Sequence, residues 1–591
     1  MTFKFIKKYY KKYLLLFILG ILADIFVDYM QLFLPEFLGK LVDIVSNNSN
    51  VSINDIKNIA LSVVLIAIAL FLGRLVMRFS ILTSSGKIEA DMRHEMFLKA
   101  ERLSQRYYHS HKVGDIMSWF ASDIESIEEF SGWGTIMIVD ALFLSTMALF
   151  KMLRLNIVLS IIAALPLLAL IVWGNKVEKT MSDLWEQRQK NFDKLYDFTH
   201  EVFAGIRVIK AFVKEIQELN AFSKVAEEQS QKNLDFAKHS ITFDVYIEVI
   251  IAILISSVLL CGSYFIYRCS LNNPVTIFNY TINIKAGELI TFIGYIDIMI
   301  WPMIAMGQIL QMHSRFVTSY KRVNDFLIEE EEIHNCIDPI VLNDCKGKIE
   351  FKNFSFKYPD GNTHSLNDIS FTIYPGEMIG IVGKIGSGKT TLVNSLLRLY
   401  NIQNDCIYID DIDIMSLDIK NLRDNIAYVP QDNFLFSDNI KNNIAFSNKN
   451  MNLKEVREAA KFADVDENIV DFTEGYETVT GERGVTLSGG QKQRISIARA
   501  YIKDAPIMIM DDSVSAVDMK TEETILENIK NKRINKTTIV IASRVSTVSS
   551  LDKILVLNDG KVEAFDTHEN LLEISPTYSK MVYLQKLESE L

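Results

Sequence analysis

The chain has 591 residues, 49% of them apolar and 23% charged, and its 62 basic against 73 acidic side chains leave a net charge of −11. One hydrophobic core does not hold that length, so at least two domains are expected, and a mean hydropathy of +0.15 beside an ordinary charged fraction points to one membrane part and one aqueous part. The acidic balance argues against a nucleic-acid partner, which selects a basic domain or stripe, and Cys261, Cys269, Cys336, Cys345 and Cys406 lack metal-ligand spacing and read as isolated reduced thiols.

Residues 1–13 carry Lys4, Lys7, Lys8, Lys11 and Lys12 ahead of an apolar run, a superficial likeness to a signal peptide. The run continues past a typical h-region and no small-residue cleavage site follows, so the segment reads as a basic amphipathic helix on the inner membrane surface, leading into a retained span. Residues 14–328 form the membrane domain. Six apolar stretches, near 14–34, 59–82, 135–153, 157–173, 245–267 and 289–310, are long enough to cross about 30 Å of hydrocarbon. Two long polar stretches, 83–134 and 174–244, have helical spacing and are rich in Lys and Arg, whereas the alternate connections carry few. The positive-inside rule therefore places these extensions, the aqueous domain and both termini in the cytoplasm of a multi-pass membrane protein.

Charges within the spans default to a functional reading because they are costly in lipid. Asp24, Arg74, Asp140 and Asp297 fall near mid-span and are candidates for lining a substrate cavity, unless the helices protrude so far that these positions leave the lipid. Asp28, Arg78 and Glu248 read as charges outside it.

An acidic linker, 329–347, opens with Glu329 to Glu332, and from 348 to 591 short β-rich runs alternate with helices in an α/β pattern. The apolar run Met378 to Val382 feeds Gly383-Lys384-Ile385-Gly386-Ser387-Gly388-Lys389-Thr390 and then a helix from Thr391, which is a phosphate loop in its strand–loop–helix context. Glycines there let backbone N–H groups close on phosphates, Lys389 meets the β/γ charge, and the Thr390 hydroxyl suits Mg²⁺. A second apolar strand, Ile507 to Met510, ends in Asp511 and Asp512 and has the form of a Mg²⁺-coordinating strand. Between the two lies Leu487-Ser488-Gly489-Gly490-Gln491.

This last run, between a phosphate loop and an aspartate strand, resembles the signature of ABC transporter ATPases. Tyr358 matches the adenine-stacking aromatic residue, Gln431 the Q-loop glutamine that reaches Mg²⁺ and water, and Asp518 the D-loop, while 480–484 resembles the stretch that touches transmembrane loops in exporters. The first half, including 205–212, is similar to the exporter-type six-helix domain, so the resemblance spans essentially the whole chain. It implies an all-α transmembrane domain followed by an α/β P-loop ATPase, with ATP and Mg²⁺ as cofactors. It also implies a dimer in which each ATP is held between one subunit's phosphate loop and the other's signature.

Two positions depart from that family. It has Glu as general base after the metal aspartate, where this chain has Asp512, and His in the switch loop, where this chain has Ser543. Asp is about 1 Å shorter in reach, a misplacement that can cost about 10²-fold in rate, and Ser lacks the imidazole's charge. The expectation is a site that binds ATP and hydrolyses it poorly, beside a signature that serves another chain's site. This resembles the impaired-site subunit of heterodimeric bacterial multidrug exporters, which expel small amphipathic compounds through the lipid-embedded domain. A homodimeric lipid or peptide exporter and a nucleotide-gated channel are the alternatives. The absence of a Cys-protease-like segment before the first span weakens a peptide-processing exporter, and the six spans weigh against a soluble ABC ATPase of ribosomes or DNA repair.

Overall fold

Long apolar runs have nowhere in lipid to satisfy their backbone groups except within a helix. In the computed structural model, which describes residues 4–46, 53–271, 273–277, 280–481, 484 and 487–590, with only the backbone described for 167–179 and a few other helical positions, this is the outcome. The chain falls into two units, Met1–Phe97 with Ile116–Ile328, and Leu98–Asp115 with Glu329–Leu591.

In the first unit the predicted spans lie within Leu14–Ser46, Ile53–Arg102, Val113–Leu155, Glu215–Ser270 and Ala286–Ile328, each long and apolar enough to cross a membrane. The remaining expected span, 157–173, opens the 48-residue helix Ile157–Ala204. Its described side chains from Ile157 to Pro166 are apolar apart from Ser160, and the side chains of 167–173 lie outside the described residues. Helices of 50 and 56 residues, Ile53–Arg102 and Glu215–Ser270, run about 75 Å or more at 1.5 Å per residue. They far exceed the membrane they cross. The stretch Val113–Leu155 is different, because π-helical turns at Trp119–Asp123, Phe130–Gly134 and Asp140–Leu144 interrupt its α-helical winding. Each such turn rotates the following residues off the 3.6-residue period.

The N-terminal helix Lys4–Lys12 buries Ile6 and Tyr9. Two of its lysines pair with acids on the Ile53–Arg102 helix, Lys8 with Glu95 at 3.0 Å and Lys12 with Asp91 at 2.5 Å. Polar groups deeper in the unit are paired similarly: Glu36 accepts from the Tyr295 hydroxyl at 2.8 Å and also meets Lys151, and Asp123 accepts from Arg322 Nε at 2.7 Å and Ser319 Oγ at 2.8 Å. Where helices Phe33–Ser46 and Ala286–Ile328 meet, small residues bring the backbones together. A Cβ on Gly39 would stand 2.3 Å from the carbonyl oxygen of Gly287, and one on Gly287 would stand 2.1 Å from that of Gly39. Asp43 Oδ1 accepts from the Gly287 N–H at 2.7 Å at the same crossing.

The second unit is built on two sheets. The larger runs Lys561–Asp566, Lys553–Asn558, Met378–Gly383, Thr537–Ile541, Ile507–Asp511, Ile426–Val429, parallel except for its first, antiparallel edge strand. The smaller is antiparallel, in the order Leu366–Ile373, Ile349–Phe356, Ile407–Ile409, Ile412–Asp413. One apolar core, including Phe351, Leu392 and Ile541, lies between the sheets. A second, including Val456, Leu487 and Ile497, packs the helices that carry the signature. The segment 98–115 belongs to this unit: Lys99 pairs with Glu331 at 3.1 Å, and Arg106 with Glu332 at 2.8 Å and Asp360 at 3.1 Å.

The Gly39–Gly287 crossing yields the first prediction. Gly39→Ala forces apart two backbones and should destabilise the protein by about 1–3 kcal/mol. Gly86→Ala, on a helix with nothing within 4 Å of the added carbon, should be neutral or stabilising by up to about 1 kcal/mol. Denaturant unfolding of the purified protein in detergent measures both; equal effects would remove the helix crossing as a determinant of stability.

Candidate nucleotide site

Ligands of open parallel sheets sit outside the carboxyl ends of the strands, and the register fixes which loops meet there. Ile541 lies beside Ile381 on one side and Asp511 on the other. The loop after Gly383, the pair Asp511–Asp512 and the residues after Ile541 therefore share one edge.

The phosphate loop leaves Met378–Gly383, whose last five residues are buried, and enters helix Lys389–Leu396. Gly388 caps that helix with a left-handed φ of +97°, and a Cβ there would come within 2.6 Å of Leu366 and 2.9 Å of the Ser365 carbonyl oxygen. Only glycine satisfies both demands. Lys389 Nζ reaches back across the loop and donates to the carbonyl oxygens of Gly383 at 2.8 Å and Lys384 at 3.0 Å. Burial pushes the Lys389 ammonium down, and the carboxylates of Asp512 and Asp511 push it back up. Two buried polar atoms in the cradle, Ser387 Oγ and Asp511 Oδ2, have no hydrogen-bond partner among the described residues.

Asp511 is 2% exposed at the end of a wholly buried strand. Burial pushes its carboxyl up, while the Thr390 hydroxyl pulls it down; Asp512 adds to the rise, and Lys389 and Tyr428 oppose it. Asp512 follows in a left-handed conformation, φ +47°, which Asp tolerates better than most residues. Its Oδ2 accepts from Gln431 Nε2 and its Oδ1 from Ser543 Oγ, both at 3.4 Å. The fold thus gathers Gln431 and Ser543 around the Asp512 carboxylate. Beneath them, buried Gln493 donates to the Asp512 carbonyl oxygen at 3.2 Å and accepts from the Ala516 N–H at 3.0 Å, bridging the aspartate pair to the D-loop. Gln493 has no visible role in the sequence, because a glutamine two residues beyond the signature carries no motif of its own.

Tyr358, half-buried, hydrogen-bonds Thr391 at 3.0 Å and meets Tyr400 edge-on at 5.2 Å. Its ring is thus fixed to the helix that follows the phosphate loop. The signature opens helix Gly489–Ile502 with a capping box: Ser488 Oγ accepts from the Gln491 N–H at 3.3 Å, and Gln491 Oε1 accepts from the Ser488 N–H at 2.9 Å. Ser488 and Gly489 are exposed and Leu487 is buried beneath them, so the positive end of the helix faces outward. Asp518 caps helix Met519–Lys532, accepting from the Thr521 N–H at 3.1 Å. Of the stretch 480–484, residues 482 and 483 lie outside the described residues.

Among the cavity candidates, Asp24 is buried and grouped with Asp28 and Asp140, while Asp297 and Arg74 are exposed. Asp28, expected to lie outside lipid at a helix end, is 3% exposed within this group.

Two families match the chain in order: "ABC transporter transmembrane region" over residues 17–303 and "ABC transporter" over 366–515. Among similar proteins, a probable multidrug resistance ABC transporter ATP-binding/permease protein of Bacillus subtilis, YheI, is 32% identical over 95% of this chain and 94% of its own length. The multidrug resistance-like ATP-binding protein MdlA of Escherichia coli is 31% identical over 96% of this chain and 94% of its own. A solved bacterial Atm1-family ABC exporter with ATP bound shares the fold, with a TM-score of 0.75 over 98% of both chains at 23% identity. With its phosphate loop, aspartate strand and outward-facing signature on one α/β unit, and its membrane helices in the other, the chain belongs to the ABC transporter family, as a multi-pass exporter half-transporter with one ATP-hydrolysing domain.

Proposed function

We propose that this chain is one subunit of a heterodimeric exporter of small amphipathic compounds, with a weakly hydrolytic ATP site of its own and a signature that completes its partner's site. The observation that carries this reading is the meeting of Asp512 and Ser543 at 3.4 Å in a cradle that is otherwise intact. Both departures fall where the γ-phosphate and its attacking water would lie, and both shorten the reach of the group there. The outward-facing signature is intact. Multidrug resistance in the names of two relatives supports amphipathic cargo, and Asp297, an exposed member of the cavity candidates, would meet a cationic part of it. The Lys- and Arg-rich extensions favour a cytoplasmic ATPase domain.

In this reading backbone N–H groups of 383–391 and the Lys389 ammonium hold the phosphates, and Tyr358 stacks on adenine. The residues fit a Mg²⁺ ion: buried Asp511 Oδ2 lacks a hydrogen-bond partner among the described residues, and the Thr390 hydroxyl lies beside that carboxylate. Thr390, Asp511 and Gln431 would hold it, and it would neutralise charge between the β- and γ-phosphates. Asp512, held between Gln431 and Ser543, orients water from a shortened reach. Closing two such subunits on ATP turns the membrane helices outward, and hydrolysis at the partner's site resets them.

Removing the Lys389 ammonium deletes a charge-assisted contact to phosphate, so Lys389→Ala should weaken binding of labelled ATP to this chain by about 1.5–3 kcal/mol. Unchanged affinity would reassign the phosphate site.

The asymmetry has its own test in ATPase assays. Purified alone, the chain should turn over little ATP. In the complete heterodimer, Ser488→Ala or Gly490→Asp should abolish most turnover, whereas Asp512→Ala should cost much less. The reverse ordering, or vigorous ATPase activity from this chain alone, would overturn the heterodimer and make Asp512 a working base.

A further inference from the structure

Asp24 and Asp28 stand four residues apart on one face of helix Leu14–Gln31. Asp140 opens the π-helical turn Asp140–Leu144 in the third predicted span, and such turns gather at functional sites. Carboxylate oxygens of all three lie within 4.8 Å of one another. Asp24 and Asp28 are 1% and 3% exposed, and the Oδ2 atom of each is buried with no hydrogen-bond partner among the described residues. Asp140 is anchored from behind, its Oδ2 accepting from the Trp301 indole N–H at 2.9 Å.

Buried carboxylates persist when they are paired or bound to metal. The cation within electrostatic reach is Arg74, which acts on Asp28 and Asp140, but its guanidinium donates to Gln31 at 3.4 Å and is exposed. Once a bound ion displaces their protons, three carboxylates against one guanidinium carry two net negative charges, the charge of one divalent ion. The spacing agrees: ligands at about 2.3–2.6 Å from a shared ion lie no more than about 5 Å apart. An all-oxygen donor set selects a hard cation over zinc or copper, and the Trp301 indole orients a ligand as outer donors do at metal centres.

We propose that Asp24, Asp28 and Asp140 form a binding site for one hard divalent cation of the Mg²⁺, Ca²⁺ or Mn²⁺ class, which clips the first span to the third. The site is separate from the ATP cradle and does not depend on the heterodimer reading.

Mn²⁺ is the probe. The full chain in lipid nanodiscs, without nucleotide, is titrated with Mn²⁺ while free Mn²⁺ is followed by electron paramagnetic resonance. One ion should bind per chain, and Asp24→Asn/Asp28→Asn should weaken it about tenfold or more. Asp140→Asn, which leaves the first span untouched, should do the same, and Asp511→Asn should retain the ion. Mn²⁺ should also raise the unfolding temperature of the wild type and not that of the double variant. No binding to the wild type at about 1 mM, equal binding in wild type and Asn variants, or loss confined to Asp511→Asn would each overturn the proposal.

Discussion

A carboxylate at the end of an apolar strand stays ionised in a protein interior when donors and cations surround it, and Asp511 imposes that demand on its neighbourhood. Burial drives its carboxyl up and the Lys389 ammonium down, and each counteracts the other's penalty. The remaining geometry follows from satisfying this pair. Met378–Gly383 and Ile507–Asp511 flank Thr537–Ile541, so the loop bearing Lys389 and the strand bearing Asp511 end at one edge. The strained backbone at Asp512, the Gln493 bridge and the Thr390 hydroxyl are the local means of holding that edge in place.

The parts legible in the sequence are those whose chemistry is written in consecutive residues. The phosphate loop, the signature and the aspartate strand each compress a geometry into a short motif, because one turn of backbone does the binding. Long apolar runs likewise declare helices, since lipid leaves the backbone no other partner. Gln493 was not legible: its role comes from facing both Asp512 and Ala516 across the fold, a coincidence of two loops. The burial of Asp28 was not legible for a related reason: four residues from Asp24, it shares that residue's face and its enclosure by neighbouring helices. The π-helical turns of Val113–Leu155 leave no mark in the apolar pattern, because a helical period presumes one fixed winding, which each extra residue breaks.

Polar chemistry in the first unit is economical and concentrated. Glu36 with Lys151 and Tyr295, and Asp123 with Arg322 and Ser319, are closed groups in which each carboxylate has donors. The trio Asp24, Asp28 and Asp140 differs in having oxygen atoms left over. Between such polar anchors the helices meet through glycine, as at Gly39 and Gly287, where backbone contact replaces side-chain packing.

The acidic run Glu329 to Glu332 looks in sequence like a solvated spacer, yet Glu331 and Glu332 hold Lys99 and Arg106. These pairs reach solvent, so the attachment of 98–115 to the ATPase sheets is sensitive to ionic strength in a way the apolar cores are not. At physiological salt, charge is felt over only about 8 Å, and less in concentrated brine. Rising salt would therefore loosen this fastening before it weakened the hold on Asp511, whose carboxylate is almost wholly withdrawn from solvent.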